Sequence, residues 1–197
     1  AHLIDDAHPT PIAVPYLCLT VSGGHTQLIE VRSVRDMKIL GETIDDAVGE
    51  AFDKAAKILG LPYPGGPHID RLSALGNPTF MRFNESNLPD YNFSFSGMKT
   101  SFLYALQKEM KANPNFIKDH LNDICASYQA ALINVLMKKV QTAQKFTGIK
   151  NVAIAGGVSA NSGLRAALTK WGAQSEISIY LPPFQYTTDN AAMIGIA

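Results

Sequence analysis

Residues 16–31 read Tyr16-Leu17-Cys18-Leu19-Thr20-Val21-Ser22-Gly23-Gly24-His25-Thr26-Gln27-Leu28-Ile29-Glu30-Val31. Two apolar runs flank Gly23-Gly24, a pattern that predicts a β-hairpin with strands at 16–21 and 26–31. A third strand is expected at 37–40. The period then changes. Val48, Ala51, Phe52, Ala55, Ile58 and Leu59 fall on one face of a helix over 45–59, which Gly60 stops. Pro62-Tyr63-Pro64-Gly65-Gly66-Pro67 reads as a rigid loop, and a helix is expected from about 68 to 75. Residues 77–96 read as irregular and 97–110 as moderately helical. The strongest helical pattern covers 115–146, with Ile124, Tyr128, Leu132, Val135 and Leu136 along an apolar stripe. The tail reads as βαβα: strand 152–155, helix 159–170, strand 177–180, and a helix from about Thr188. Hairpin first, helices in the middle and βαβ last imply a mixed α/β architecture.

Composition narrows the class. At 197 residues with 46% hydrophobic and 17% charged side chains, the chain can bury a sizeable core and is not of the disordered type. Its formal net charge is zero, which argues against a nucleic-acid binder working alone, since phosphate contacts need clustered Lys and Arg. Lys138-Lys139 reads as the wet face of a helix. Cys18 and Cys125 form no motif and read as buried thiols, which suits a reducing cytoplasm. No run approaches the ~20 apolar residues a membrane span needs, so no membrane partner is expected. The chain opens Ala1-His2, without Met, and is read as an excised piece of a longer protein.

Three Gly-Gly steps recur where apolar segments end: Gly23-Gly24, Gly65-Gly66 and Gly156-Gly157. Glycine lets backbone N–H groups approach a ligand closely. Ser22-Gly23-Gly24-His25-Thr26 reads either as a tight hairpin turn or as a phosphate-binding concavity; His25 reads as structural. The strand–Gly-Gly–helix unit at 152–170 resembles an anion or nucleotide site, although only part of the dinucleotide pattern is present. Ser159 and Asn161 read as candidate helix caps, and Asp189 as a cap or a metal ligand. Asp53 and Asp70 are either solvated helical charges or acceptors for ribose hydroxyls. His2 is a further candidate ligand, though one histidine makes no metal site.

Together these strings resemble the universal tRNA threonylcarbamoyladenosine-forming family, TsaD in bacteria, formerly described as an O-sialoglycoprotein endopeptidase. The resemblance rests on VSGGHTQL at 21–28, LGETIDDAVGEAFDKAAKILGLPYPGGP at 40–67, FSFSGMKT at 93–100, AGGVSAN at 155–161 and TDNAAMIG at 188–195. It implies an actin-like ATPase fold, with two RNase H-like lobes around a nucleotide cleft. Residues 1–15 would be the end of a first-lobe helix and a linker. Residues 16–197 would be the second lobe, with a helical insertion at about 45–146. About the first hundred residues of the family pattern, and a short C-terminal portion, are absent from this chain.

The resemblance also implies site residues. Substrate contacts fall on Thr20, Val21, Ser22, Gly23 and Gly24, then Asp53, Gly66, Asp70, Gly156, Gly157 and Asn161. Phosphate would lie at the hairpin, ribose at the two aspartates, and adenine beside Gly156-Gly157 and Asn161. One iron(II) or zinc ion per subunit would be held by His2, Asp189 and a further histidine upstream. The implied activity is transfer of a threonylcarbamoyl group from threonylcarbamoyl-AMP to the exocyclic amine of the tRNA adenosine following the anticodon. ATP or AMP would also occupy the nucleotide site. The implied partners are tRNA, a smaller paralogous subunit and an ATPase subunit, in the cytoplasm. No general base is identified, and Lys99 reads as a tRNA contact or an ordinary surface lysine. The rival readings are a metal-dependent glycoprotein endopeptidase, a small-molecule kinase of the same superfamily, and a nucleotide- or partner-binding module without activity. The endopeptidase lacks support from any HExxH string, the usual zinc-protease signature.

Overall fold

The computed structural model describes residues 12–85 and 88–188. The hairpin forms where the apolar alternation places it. Strand β1 (Tyr16–Val21) pairs antiparallel with β2 (Thr26–Ser33), and β3 (Asp36–Glu42) adds to the outer edge of β2. Helices α1 (Val48–Ile58), α2 (Gly65–Ser73), α3 (Ser96–Ala112), α4 (Phe116–Asp119) and α5 (Leu121–Thr147) follow. The chain then returns as β4 (Asn151–Ala155), parallel to β1, and continues through α6 (Ser162–Ser175) into β5 (Ser178–Tyr180), parallel to β4. The sheet order is β3-β2-β1-β4-β5.

Alternation along the strands divides the core. Leu17, Leu19 and Val21 of β1, with Val152 and Ile154 of β4, join one cluster with Phe52, Tyr128 and Leu164 from the helices. Their neighbours Tyr16, Cys18, Val31 and Ala153 form a second, smaller cluster, as the period of two requires. The rings of Phe83, Phe102 and Tyr128 pack at centroid distances of 4.5 to 5.6 Å. Burying side chains of this size contributes about 2–3 kcal/mol each, before ordering costs. Both cysteines are buried and free, as the sequence reading expects. Burial pushes the Cys18 thiol up to about 11 and the Cys125 thiol up to about 12, so neither supplies a thiolate at neutral pH.

Several boundaries differ from the sequence reading. Gly65-Gly66-Pro67 is not loop but the first turn of α2, where a proline loses no intrahelical bond. The pattern at 115–146 is two helices. His120 leaves helical geometry at φ −125°, and its ring packs against Phe80 and Phe116 at 4.9 and 5.0 Å. Helix α6 starts at Ser162, not 159, because Gly157–Ala160 wind into a 3₁₀ turn. Lys138-Lys139 is not one wet face. Lys138 pairs with Glu85 at the surface, whereas Lys139 is buried and donates to the carbonyls of Leu88 and Asp90 at 2.6 and 2.8 Å. The helix expected from about Thr188 lies outside the described residues beyond Thr188 itself.

One carboxylate joins the front of the helical region to its middle. Asp45 accepts from the N–H groups of Phe95 (2.8 Å) and Ser96 (3.3 Å) and from the hydroxyls of Ser94 (2.5 Å) and Ser96 (2.8 Å). It thereby caps α3 from a distant position in sequence, satisfying amides that a helix start leaves open. Burial alone would raise the Asp45 pKa, but these hydrogen bonds outweigh it and hold the carboxyl below its ordinary value.

Candidate functional site

Strands β1 and β4 are parallel neighbours, with Thr20 opposite Ala155. Their carboxyl ends therefore emerge side by side, and each runs directly into a Gly-Gly step. Crevices at such strand ends are where open α/β sheets place ligands. Packing here is close. A Cβ on Gly156, whose φ is +90°, would lie 2.3 Å from the Val21 carbonyl oxygen, so both backbone conformation and space require glycine.

Helix α1 abuts the hairpin turn. The Gly49 N–H donates to the Ser22 carbonyl at 3.2 Å, and a Cβ on Gly49 would come within 2.6 Å of that oxygen. The same helical face then carries Phe52 and Asp53, at spacings of three and four from Gly49. Asp53 accepts from the Gly65 N–H at 2.7 Å, which anchors the start of α2 against α1. Further along α2, Asp70 accepts from both the N–H and the hydroxyl of Ser162, at 2.9 and 2.7 Å. Ser162 opens α6, so this carboxylate meets the partial positive charge of that helix start.

These elements enclose a cavity of about 570 Å³. Gly23, Asp53, Gly66, Asp70, Gly157 and Asn161, all singled out from sequence, line it together. The three Gly-Gly steps thus converge, one residue of each reaching the cavity wall. Among the described residues, nothing lies within 4 Å of where a Cβ on Gly23 or Gly157 would stand. Phe52, Pro64 and Val158 supply apolar wall. A carboxylate oxygen accepts about two hydrogen bonds, so Asp53 and Asp70 keep acceptor capacity beyond their internal partners. Apolar walls with two convergent carboxylates suit a flat heterocycle joined to a diol.

Not every expected residue stands on that wall. Thr20, Val21, Ser22, Gly24 and Gly156 do not line this cavity. Val21 is buried in the main core, and Thr20 lies beside Cys18. In the hairpin turn, Ser22 Oγ accepts from the N–H of Gly24 (3.3 Å) and of His25 (2.9 Å). Two amides of the turn are therefore already taken by this side chain. Ser159 does not cap α6; it is buried, and its hydroxyl has no partner among the described residues. Asn161 is the cap, with Oδ1 accepting from the Leu164 N–H at 2.9 Å. His2 and Asp189, the candidate metal ligands, lie outside the described residues. Among the described residues no group of three or more His, Cys, Asp or Glu is placed to hold a metal ion.

Sequence reasoning missed residues that act at one remove. Gln129 of α5 is buried and accepts from Asn161 Nδ2 at 2.7 Å. Arg165 donates to the carbonyls of Ser159 (3.0 Å) and Pro182 (2.9 Å), with its guanidinium 4.5 Å from the centre of the Phe184 ring. It ties the 3₁₀ turn to the segment leading to Thr188, another wall residue. Neither residue breaks its local pattern, so no signal marked them. Gly49 did carry one, since a helical glycine costs about 1 kcal/mol relative to alanine and implies close approach.

Comparison with known proteins gives the family and the fold. The model of the TsaD family, tRNA N6-adenosine threonylcarbamoyltransferase, matches residues 1–196. The protein of that name from Cytophaga hutchinsonii is 55% identical over the whole chain, which covers 57% of that relative. The one from Riemerella anatipestifer is 54% identical, again over the whole chain and 58% of the relative. The chain thus spans just over half the length of these curated relatives. Among solved structures, full-length HypF in its phosphate- and nucleotide-bound form superposes with a TM-score of 0.60 at 11% identity, covering 83% of this chain and 36% of HypF. The Clostridium difficile activator of 2-hydroxyisocaproyl-CoA dehydratase, with bound ADPNP, gives 0.53 at 17% identity over 99% of this chain and 63% of the activator. Those likenesses establish the actin-like ATPase fold. The chain belongs to the tRNA N6-adenosine threonylcarbamoyltransferase family.

Proposed function

We propose that the protein of which this chain is a part transfers a threonylcarbamoyl group from threonylcarbamoyl-AMP to the exocyclic amine of the tRNA adenosine following the anticodon. This chain supplies the wall that holds the nucleotide. The convergence of Gly23, Gly66 and Gly157 with Asp53 and Asp70 on one cavity carries the reading. The nucleotide-bound forms in which the two fold neighbours were solved support it.

In this reading, Asp53 and Asp70 accept from the ribose hydroxyls, and the bare turns at Gly23 and Gly157 admit the phosphate and the base. The amine nitrogen attacks the carbamoyl carbon and forms the new N–C bond. The C–O bond to AMP breaks, AMP leaves with the electron pair, and the amine proton passes to solvent. Donors aimed at the departing phosphate stabilise its growing charge, and the Gly23 N–H is the hairpin's contribution. Family membership brings a metal ion and an ATP-derived ligand with it. In this proposal iron(II) or zinc would be held by His2, Asp189 and a further histidine upstream, and a bound ion would supply Lewis acidity.

We also read residues 16–197 as the second lobe of a two-lobed protein, with 1–15 as the end of a first-lobe helix and a linker. The proposed partners are tRNA, a smaller paralogous subunit and an ATPase subunit, working in the cytoplasm. The test is incorporation of labelled threonine into tRNA by the whole protein with its partners, bicarbonate and ATP. Asp53→Asn is expected to lower incorporation at least tenfold at subsaturating ATP-derived donor. Undiminished incorporation by folded Asp53→Asn and Asp70→Asn variants would remove this cavity from the reaction.

A further inference from the structure

Tyr63 is shared by two cavities. It lines the large one and also a neighbouring cavity of about 390 Å³, walled by Glu50, Lys54, Lys57 and Leu61. Its ring is 85% exposed, so it stands at the opening of both. The loop that presents it is nonetheless well anchored. Pro62 and Pro64 flank Tyr63 and restrict the backbone on both sides. The Leu61 N–H donates to the Ala56 carbonyl at 2.9 Å, and the Gly65 N–H to Asp53 at 2.7 Å. An aromatic face on such a loop loses little freedom when a ligand stacks on it.

Each cavity adds one cation. Arg71 lines the large cavity and Lys57 the neighbouring one, and both are exposed. The carboxylates around them are already engaged: Asp53 by Gly65, Asp70 by Ser162, and Glu50 by Lys54 at 2.9 Å. Lys54 also meets Asp46 at 2.6 Å. Among the described residues, neither Lys57 nor Arg71 enters an ion pair. Two such cations and an exposed, anchored ring suit single-stranded RNA, whose bases stack on aromatic faces and whose phosphates pair with Lys and Arg.

We propose that Lys57, Tyr63 and Arg71 form a contact rim for the single-stranded RNA that flanks the acceptor base. Tyr63 stacks one base, and each cation takes one phosphate. The inference rests on the tRNA reading above and deepens it, by naming residues of this chain that meet the RNA. The acceptor amine has to reach a donor held in the large cavity, so the RNA beside it passes the cavity's opening. Two phosphate contacts are few, in keeping with a formal net charge of zero. The rim therefore contributes only a shallow salt dependence.

The test titrates a fluorescently labelled RNA anticodon stem-loop into the whole protein assembled with its partner subunits, at several salt concentrations. Lys57→Ala, Arg71→Ala, Tyr63→Ala and Tyr63→Phe are compared with wild type, each checked for native melting and intact assembly. Calorimetric titration with AMP runs on the same proteins. Lys57→Ala and Arg71→Ala should each make the fall of log affinity with log salt shallower by about 0.7. Tyr63→Ala should weaken RNA about tenfold at unchanged salt dependence, and Tyr63→Phe, which keeps the ring, should bind as wild type does. Lys57 does not line the large cavity, so Lys57→Ala should leave AMP affinity unchanged. Folded variants that bind RNA as wild type does overturn the inference. Equal weakening of AMP and RNA in Arg71→Ala and Tyr63→Ala also overturns it and assigns the rim to the nucleotide. Loss of a partner subunit from the variants overturns it and assigns the rim to that protein. A wild type that binds AMP but no RNA overturns the tRNA reading and this inference together.

Discussion

Both carboxylate oxygens of Asp70 are engaged by one residue: Oδ2 accepts from the Ser162 N–H at 2.9 Å, and Oδ1 from the Ser162 hydroxyl at 2.7 Å. The carboxylate therefore has a structural task, joining α2 to the start of α6, whatever ligand it also meets. The two tasks separate by substitution. Ser162→Ala removes the hydroxyl bond but keeps the N–H, and should cost about 1 kcal/mol of stability with AMP affinity within about twofold of wild type. Asp70→Ala loses both bonds and should lower stability and affinity together. Urea unfolding paired with calorimetry separates these outcomes.

Glycines at the site divide into those that pack and those that make room. At Gly49 a Cβ would meet the Ser22 carbonyl oxygen at 2.6 Å, whereas a Cβ on Gly23 would meet nothing within 4 Å among the described residues. Gly49→Ala should destabilise the fold by about 1–3 kcal/mol, since the hairpin turn or α1 must shift. Gly23→Val should leave melting close to wild type and weaken AMP severalfold, because its side chain would enter the space a ligand needs. A destabilised Gly23→Val with unchanged binding would reverse this assignment.

Asp45 gives a pH dependence with a definite sign. Its folded pKa lies below the ordinary value because Ser94, Phe95 and Ser96 hydrogen-bond the charged form. Its contribution is therefore present above the unfolded carboxylate pKa of about 4 and is lost as pH falls through the lower folded value. Asp45→Asn should be less stable than wild type at pH 7 by about 1 kcal/mol, as for loss of a helix cap, and the gap should narrow below about pH 4. Melting scans from pH 7 to pH 3 would show it; a gap that is constant across that range would contradict the assignment.

Arg165 should behave as a clamp. Its two carbonyl contacts and the Phe184 ring hold the Gly157–Ala160 turn to the 182–188 segment. Arg165→Met removes the bonds with little loss of bulk and should cost about 2 kcal/mol, the range for hydrogen bonds to a charged group. Hydrogen exchange should quicken in both segments at once. Faster exchange in only one of them would show that the two are not coupled through this residue.

How much of this was legible in the sequence depends on the range of the interaction. The hairpin, the face of α1 and the strands β4 and β5 follow from apolar period alone, and the structure keeps them. Gly60 ends α1 as expected, with φ +73°. The starts of α2 and α6 were misplaced because caps are decided by partners from elsewhere. Asp53 anchors Gly65, and Asp70 anchors Ser162. Asp53 and Asp70 read locally as solvated helical charges or ribose acceptors, and the family resemblance is what singles them out. Gln129 and Arg165 were not singled out, since a glutamine inside a long helix and an arginine near a helix start look ordinary until their partners are seen. Local pattern carries elements; contacts distant in sequence carry boundaries and supporting residues.

The central claim is that Asp53 and the convergent glycines hold a nucleotide. Calorimetric titration of AMP into wild type and Asp53→Asn tests it most directly, because the asparagine oxygen still accepts from the Gly65 N–H and keeps that contact. The account predicts saturable one-to-one binding by wild type and an affinity at least tenfold lower in a variant with unchanged melting. A folded wild type that takes up no AMP, or a folded Asp53→Asn that binds it equally well, would contradict it.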